Sequence, residues 1–148
     1  MPLLTLAACY LIGCLVSAWY LVRWLTGADL RHLHSGTTGA RNAGRILGPA
    51  GFTTVALLDS LRGFLAMSLA HHAGLTNWWL TAAGLAVTAG HLWPVQLRFH
   101  GGKGIAVASG ALLHSLPLRS LPAWSLAISL LTLVLWSHLR TPRQPPSD

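Results

Sequence analysis

The fold class predicted is all-α: a polytopic integral membrane helical bundle of about five apolar segments, N-terminus outside, with polar cytoplasmic loops. Three observations predict it. Hydrophobic side chains make up 53% of the 148 residues and charged ones only 9%, far from the balance of a water-soluble domain. Asp29, Asp59 and Asp148 are the only acids, too few to help cover a solvated surface. Most basic residues fall between apolar stretches, the mark of loops retained in the cytoplasm.

The net charge of +7 also marks nucleic-acid binders, but those carry it on a solvated face, which this chain lacks. No nucleic-acid partner is expected. Cys9 and Cys14 lie in the first apolar stretch. One helix would hold their Cα atoms roughly 8–9 Å apart, too far for a disulfide, so both read as buried free thiols. No Cys/His metal spacing occurs, and no cofactor is implied.

The first apolar stretch, Leu3 to Leu25, ends in Trp19, Tyr20, Arg23 and Trp24, an aromatic and basic interfacial anchor. A cleaved signal peptide would carry a basic residue before a shorter core, so a retained span is expected. The second stretch, Gly51 to Ala70, carries Asp59 and Arg62 on one helical face, where each neutralises the other. In the third, Trp78 to about Leu97, Ala82, Ala83, Ala86, Ala89 and Gly90 offer a small-residue surface for close packing. The run after Lys103 to Leu116 is shorter than a usual span, and Pro122 to Leu139 is long enough to cross. Residues 1–140 thus form one transmembrane domain, followed by a Pro-rich, disordered tail over 141–148.

Loop charges give the orientation. The first loop holds Arg31, Arg41 and Arg45, the third Arg98 and Lys103, and the tail Arg140 and Arg143, whereas the second loop has none and the fourth only Arg119. With five spans, the basic loops and tail lie in the cytoplasm.

Two loop motifs carry chemistry. The first reads His34-Ser35-Gly36-Thr37-Thr38-Gly39-Ala40-Arg41-Asn42-Ala43-Gly44-Arg45. Glycines let backbone N–H groups approach an anion, and arginine adds a planar fork that matches phosphate oxygens. A flexible Gly/Ser/Thr connector would share this composition. The second motif reads Gly90-His91-Leu92-Trp93-Pro94, then Arg98-Phe99-His100-Gly101-Gly102-Lys103-Gly104 before an apolar run. Glycines around a lysine at a helix start favour phosphate through free N–H groups and the positive dipole end. It is not a Walker A loop, which needs Gly-x-x-x-x-Gly-Lys-Ser/Thr after a strand. Lys103 reads equally as a positive topology marker.

Taken together, Ser35-Gly36-x-x-Gly39-Ala40-x-Asn42-x-x-Arg45, Leu58-Asp59-x-x-Arg62-Gly63, and Gly90-His91-x-x-Pro94 with Gly101-Gly102-Lys103-Gly104 resemble the bacterial membrane acyl-phosphate:glycerol-3-phosphate acyltransferase family (PlsY type) in order and spacing. The resemblance runs from the first helix to about the last apolar stretch. The family usually has Asn at the position of Thr37, Thr at that of Arg41, and Lys at that of Arg62. It also continues past the position of Arg140 into a further polar motif and more membrane helices.

The resemblance implies a multi-pass enzyme of the bacterial cell membrane, acting in phospholipid synthesis. Its activity would move a fatty acyl group from acyl phosphate to glycerol 3-phosphate, giving lysophosphatidic acid and phosphate. The donor is an activated mixed anhydride, so no protein nucleophile is required, and catalysis rests on positioning and charge neutralisation. The expected catalytic residues are His91, Lys103 and Arg45, with Ser35, Gly36, Gly39, Asn42, Gly101, Gly102 and Gly104 lining the substrate site. His91 reads either as a general base or as a hydrogen-bonded strut beneath the Trp93-Pro94 turn, and Asn42 either as a substrate contact or as a turn cap. The partners implied are acyl phosphate, glycerol 3-phosphate and membrane lipid. A second copy or another chain completing the site stays open, as does a non-catalytic, truncated relative that binds phosphate or lipid headgroups.

Overall fold

The computed structural model describes residues 1–115, and these contain helices and no strand. The expected span Pro122 to Leu139, the domain limit at 140 and the tail over 141–148 lie outside the described residues. Five helices run in order: α1 Pro2–Cys14, α2 Ser17–Thr26, α3 Ala40–His72, α4 Trp78–Leu92 and α5 Ile105–Ser115. Short 3₁₀ turns occupy Leu30–His32 and Val95–Leu97. Two helical runs, Pro2–Thr26 and Ala40–His72, are long and apolar enough to cross a membrane.

The first span is broken where the sequence predicts one continuous helix. Leu15 and Val16 leave helical geometry with ψ of 71° and 96°, which frees carbonyls that lipid cannot satisfy. Polar side chains from other elements supply the missing donors. Arg62 donates to Gly13 and Leu15, and Gln96 donates to Cys14. An arginine inside an apolar stretch of α3 is thereby matched to a defect in its neighbour.

α3 is longer than the apolar stretch it contains. Its start, at the N-cap Gly39, takes Arg41 and Arg45 out of the expected loop and onto a helical turn. Gly48, with φ 72° and ψ −169°, divides α3 ahead of Pro49. Only glycine enters that region readily, and proline suits the first turn of the piece that follows. α4 stops at Leu92, short of the expected Leu97, because Pro94 lacks the N–H that would continue the helix.

Packing is close inside and leucine-rich outside. A Cβ at Gly90 would run into the Tyr10 carbonyl, and one at Gly63 into that of Val107, so α1 meets α4 and α3 meets α5 backbone to backbone. Small residues serve this purpose in membranes, where no hydrophobic effect drives helices together. The interior holds Cys9, Ala66, Ala70, Ala83, Val87 and Val107, all 0% exposed. Leu57, Leu61, Leu65 and Leu69, four residues apart along α3, are 60%, 51%, 50% and 42% exposed, a ridge suited to lipid rather than water.

Candidate functional site

The first polar loop is held from within. Asp29 opens the 3₁₀ turn, accepting the Arg31 backbone N–H at 3.0 Å and the Trp19 indole N–H at 3.0 Å. The Arg31 guanidinium clasps the same carboxylate through Nε at 3.0 Å and Nη2 at 2.6 Å. Chiefly through that side-chain hydrogen bond, Arg31 holds the Asp29 carboxyl well below the usual carboxylate range. Arg31 Nη1 also reaches the Leu97 carbonyl at 3.4 Å, tying this loop to the segment after α4.

Asn42, fully buried in the first turn of α3, gathers the rest of the loop. Its Nδ2 donates to the carbonyls of Leu30 (3.2 Å), Leu33 (3.0 Å) and Thr37 (3.0 Å), and its Oδ1 accepts the Ser35 N–H at 3.4 Å. Of the two roles expected for Asn42, this geometry is that of a turn clamp. The Ser35 hydroxyl is exposed and lies 3.0 Å from that of Thr37. Gly36 sits at φ 67° against the Arg31 carbonyl.

The second motif folds back over the end of α4. Gly101 N–H donates to Leu92 O and Gly102 N–H to His91 O, each at 3.1 Å. A Cβ on Gly101 would collide with those carbonyls, and one on Gly102 with the His91 ring. Gly104, at φ 74°, turns the chain into α5, whose first N–H groups have no earlier turn to bond. Lys103, between Gly102 and Gly104, is exposed.

The two motifs meet: the Thr38 N–H donates to the Gly101 carbonyl at 3.4 Å. Ser35, Gly36, Gly39 and Asn42 thus share one end of the bundle with Gly101, Gly102, Lys103 and Gly104. Arg45 lies on the first turns of α3, exposed like Lys103, and neither has a carboxylate partner among the described residues. Both described carboxylates, Asp29 and Asp59, are bound by other arginines, so no described carboxylate neutralises Arg45 or Lys103.

His91 is placed differently from the other expected site residues. It is 2% exposed, with Nδ1 3.5 Å from Arg62 Nη2 and 4.0 Å from Asp59 Oδ2, and Nε2 beneath Gly102. Thr38 and the Asp29–Arg31 clasp were not singled out from sequence. The Asp-x-Arg spacing was the available signal for the clasp, while the Thr38 contact depends on two loops distant in sequence.

The described bundle and its two cationic loops define an integral membrane protein of helical architecture. The glycerol-3-phosphate acyltransferase family profile matches residues 3–141, and the chain belongs to that family. It is 46% identical over 111 residues to the glycerol-3-phosphate acyltransferase of Synechococcus sp. (strain CC9902), covering 75% of this chain and 56% of the relative. Against the enzyme of that name from Thermoanaerobacter pseudethanolicus it is 37% identical over 136 residues, covering 92% of this chain and 68% of the relative. The crystal structure of PlsY, an integral membrane glycerol 3-phosphate acyltransferase in its glycerol 3-phosphate form, superposes with a TM-score of 0.75 at 36% identity, covering 91% of this chain and 66% of that one. Its lysophosphatidic acid form gives 0.70 at 32%, covering 91% and 62%. The chain thus spans between half and about two thirds of the length of these relatives.

Proposed function

We propose that this protein transfers a fatty acyl group from acyl phosphate to glycerol 3-phosphate, releasing lysophosphatidic acid and phosphate at the cytoplasmic face of a bacterial membrane. The observation that carries the reading is the Thr38–Gly101 backbone hydrogen bond, which joins two cationic, glycine-rich segments at one end of the bundle. One of the relatives of known structure has been crystallised in glycerol 3-phosphate and lysophosphatidic acid forms, which supports the same substrate class here. The loop charges support a multi-pass arrangement with both segments in the cytoplasm.

In the reaction, a hydroxyl oxygen of glycerol 3-phosphate attacks the carbonyl carbon of the mixed anhydride. The ester C–O bond forms, the anhydride C–O bond breaks, and phosphate leaves with the bonding pair and the hydroxyl proton. Arg45 provides a fork for phosphate oxygens and Lys103 a point charge. The Ser35 hydroxyl and the backbone N–H groups of Gly39, Lys103 and Gly104 provide neutral donors, while those of Gly36, Gly101 and Gly102 bond the carbonyls of Leu33, Leu92 and His91 and so shape the turns. Charge that moves from the acyl oxygen onto the leaving phosphate is stabilised by donors already in place, the largest single contribution in many such sites.

The test is the purified full chain in lipid vesicles, given labelled glycerol 3-phosphate with either acyl phosphate or an acyl thioester. Labelled lysophosphatidic acid formed only with acyl phosphate is the expected result. No product with either donor, alongside retained binding of glycerol 3-phosphate or anionic lipid, would replace the enzyme reading with that of a phosphate-binding membrane relative.

A further inference from the structure

Three ionisable side chains lie buried in the bundle, where an unpaired charge is costly. Asp59 and Arg62, on one face of α3, form an ion pair, and His91 at the end of α4 joins them at 3.5 Å from Arg62. Their exposures are 2%, 9% and 2%. The cluster has a connection on each side. Arg62 Nη1 donates to the Gly13 carbonyl at 3.2 Å and to that of Leu15, across the α1/α2 break. Opposite, the His91 ring supports Gly102: a Cβ there would overlap Nε2 and press Cδ2 and Cε1 at 3.2 Å.

We propose that Asp59, Arg62 and His91 are positioning residues: a buried cluster that fixes the Gly101–Lys103 turn relative to the first span, with the contact between the His91 ring and Gly102 as the point of transmission. This rests on the reading above, in which that turn receives a substrate phosphate. Position 102 requires glycine because the imbedded imidazole fills the space a methyl would need. Lys103 is the next residue, so a shift of the turn moves its ammonium, and a misplacement of about 1 Å in such a site can lower the rate roughly 10²-fold. At position 62 the planar fork of arginine serves Asp59 on one nitrogen and the α1/α2 break on the other.

The experiment is a double-mutant cycle on the full chain in lipid, comparing the parent, Gly102→Ala, His91→Ala and the double variant. The readouts are kcat and KM for glycerol 3-phosphate, and separately the Kd of that ligand. Gly102→Ala should weaken Kd at least tenfold in the parent but less than threefold once His91→Ala has opened the space. Equal losses in both backgrounds would overturn the proposal. Should Gly102→Ala fail to fold in the parent, recovery of folded protein in the His91→Ala background is the same coupling, and no recovery counts against it. Arg62→Ala should raise KM for glycerol 3-phosphate severalfold in correctly inserted protein, whereas Arg62→Lys, which keeps a charge opposite Asp59, should not; an unchanged KM in Arg62→Ala would remove Arg62 from the cluster's role. A parent that binds glycerol 3-phosphate without turnover would sink the transfer reading alone, leaving the Kd cycle to decide this one.

Discussion

Thr38 and Gly101, 63 positions apart in the chain, share a backbone hydrogen bond of 3.4 Å. That bond joins the serine- and arginine-bearing loop to the glycine-lysine turn. Neither segment alone offers enough donors to surround a phosphate. The proposed site combines Arg45, Lys103 and the Ser35 hydroxyl with the backbone of both segments.

Arg45→Ala and Lys103→Ala should each lower kcat/KM by about 10²–10³-fold, the loss typical of one charged or oxyanion contact, while membrane insertion is retained because both side chains are exposed. Arg45→Lys should also be damaging, since lysine keeps the charge but loses the bidentate fork. Full activity in Arg45→Lys would reduce the residue to a source of positive field.

His91→Gln tests whether the imidazole moves a proton. Glutamine keeps a hydrogen-bonding group but cannot titrate near neutrality. With His91 as a strut, the pH profile of kcat/KM should keep the same limbs in the variant as in the parent, at a reduced plateau. Loss of a limb in the variant alone would make His91 the general base.

The Asp29–Arg31 clasp should give the first loop an acid-labile anchor. Because Arg31 lowers the Asp29 value, the clasp stabilises the folded state fully above the ordinary carboxylate value of about 3.9, and this contribution is lost as pH falls from there through the lower folded value. Asp29→Asn should therefore destabilise the protein by about 1–3 kcal/mol at pH 7, with the difference from the parent narrowing below about pH 4. A difference in thermal unfolding that does not change with pH would contradict the assignment.

Asn42 should tolerate no close substitute. Asn42→Asp replaces the donating Nδ2 with a second acceptor facing the carbonyls of Leu30, Leu33 and Thr37, and a buried unsatisfied group costs about 1–3 kcal/mol. Proteolysis of the 30–38 segment should accelerate in this variant. An unchanged cleavage rate would mean that the loop is held by other contacts.

Much of this was legible in sequence, for physical reasons that can be named. Apolar stretches report directly on lipid, so the spans containing Leu3 to Leu25 and Gly51 to Ala70 could be located. Asp59 and Arg62 were legible as a pair because helical spacing places them on one face. The break at Leu15 was not, since nothing in its apolar surroundings marks it; its carbonyls are satisfied by Arg62 and Gln96 from elsewhere in the chain. The α3 start at Gly39 was hidden by the loop-like glycines and hydroxyls that follow Ser35. His91 was legible as a candidate of ambiguous role, because only tertiary packing reveals that its ring lies beneath Gly102.

The most direct test of the central claim, that the two loops form one phosphate site, is the coupling between Arg45→Ala and Lys103→Ala in the acyl-phosphate-dependent transfer assay. Residues that grip the same anion act as a unit, so the double variant should be little worse than the poorer single one. Losses that multiply, each substitution lowering kcat/KM by the same factor whether or not the other is present, would mean that Arg45 and Lys103 serve separate sites.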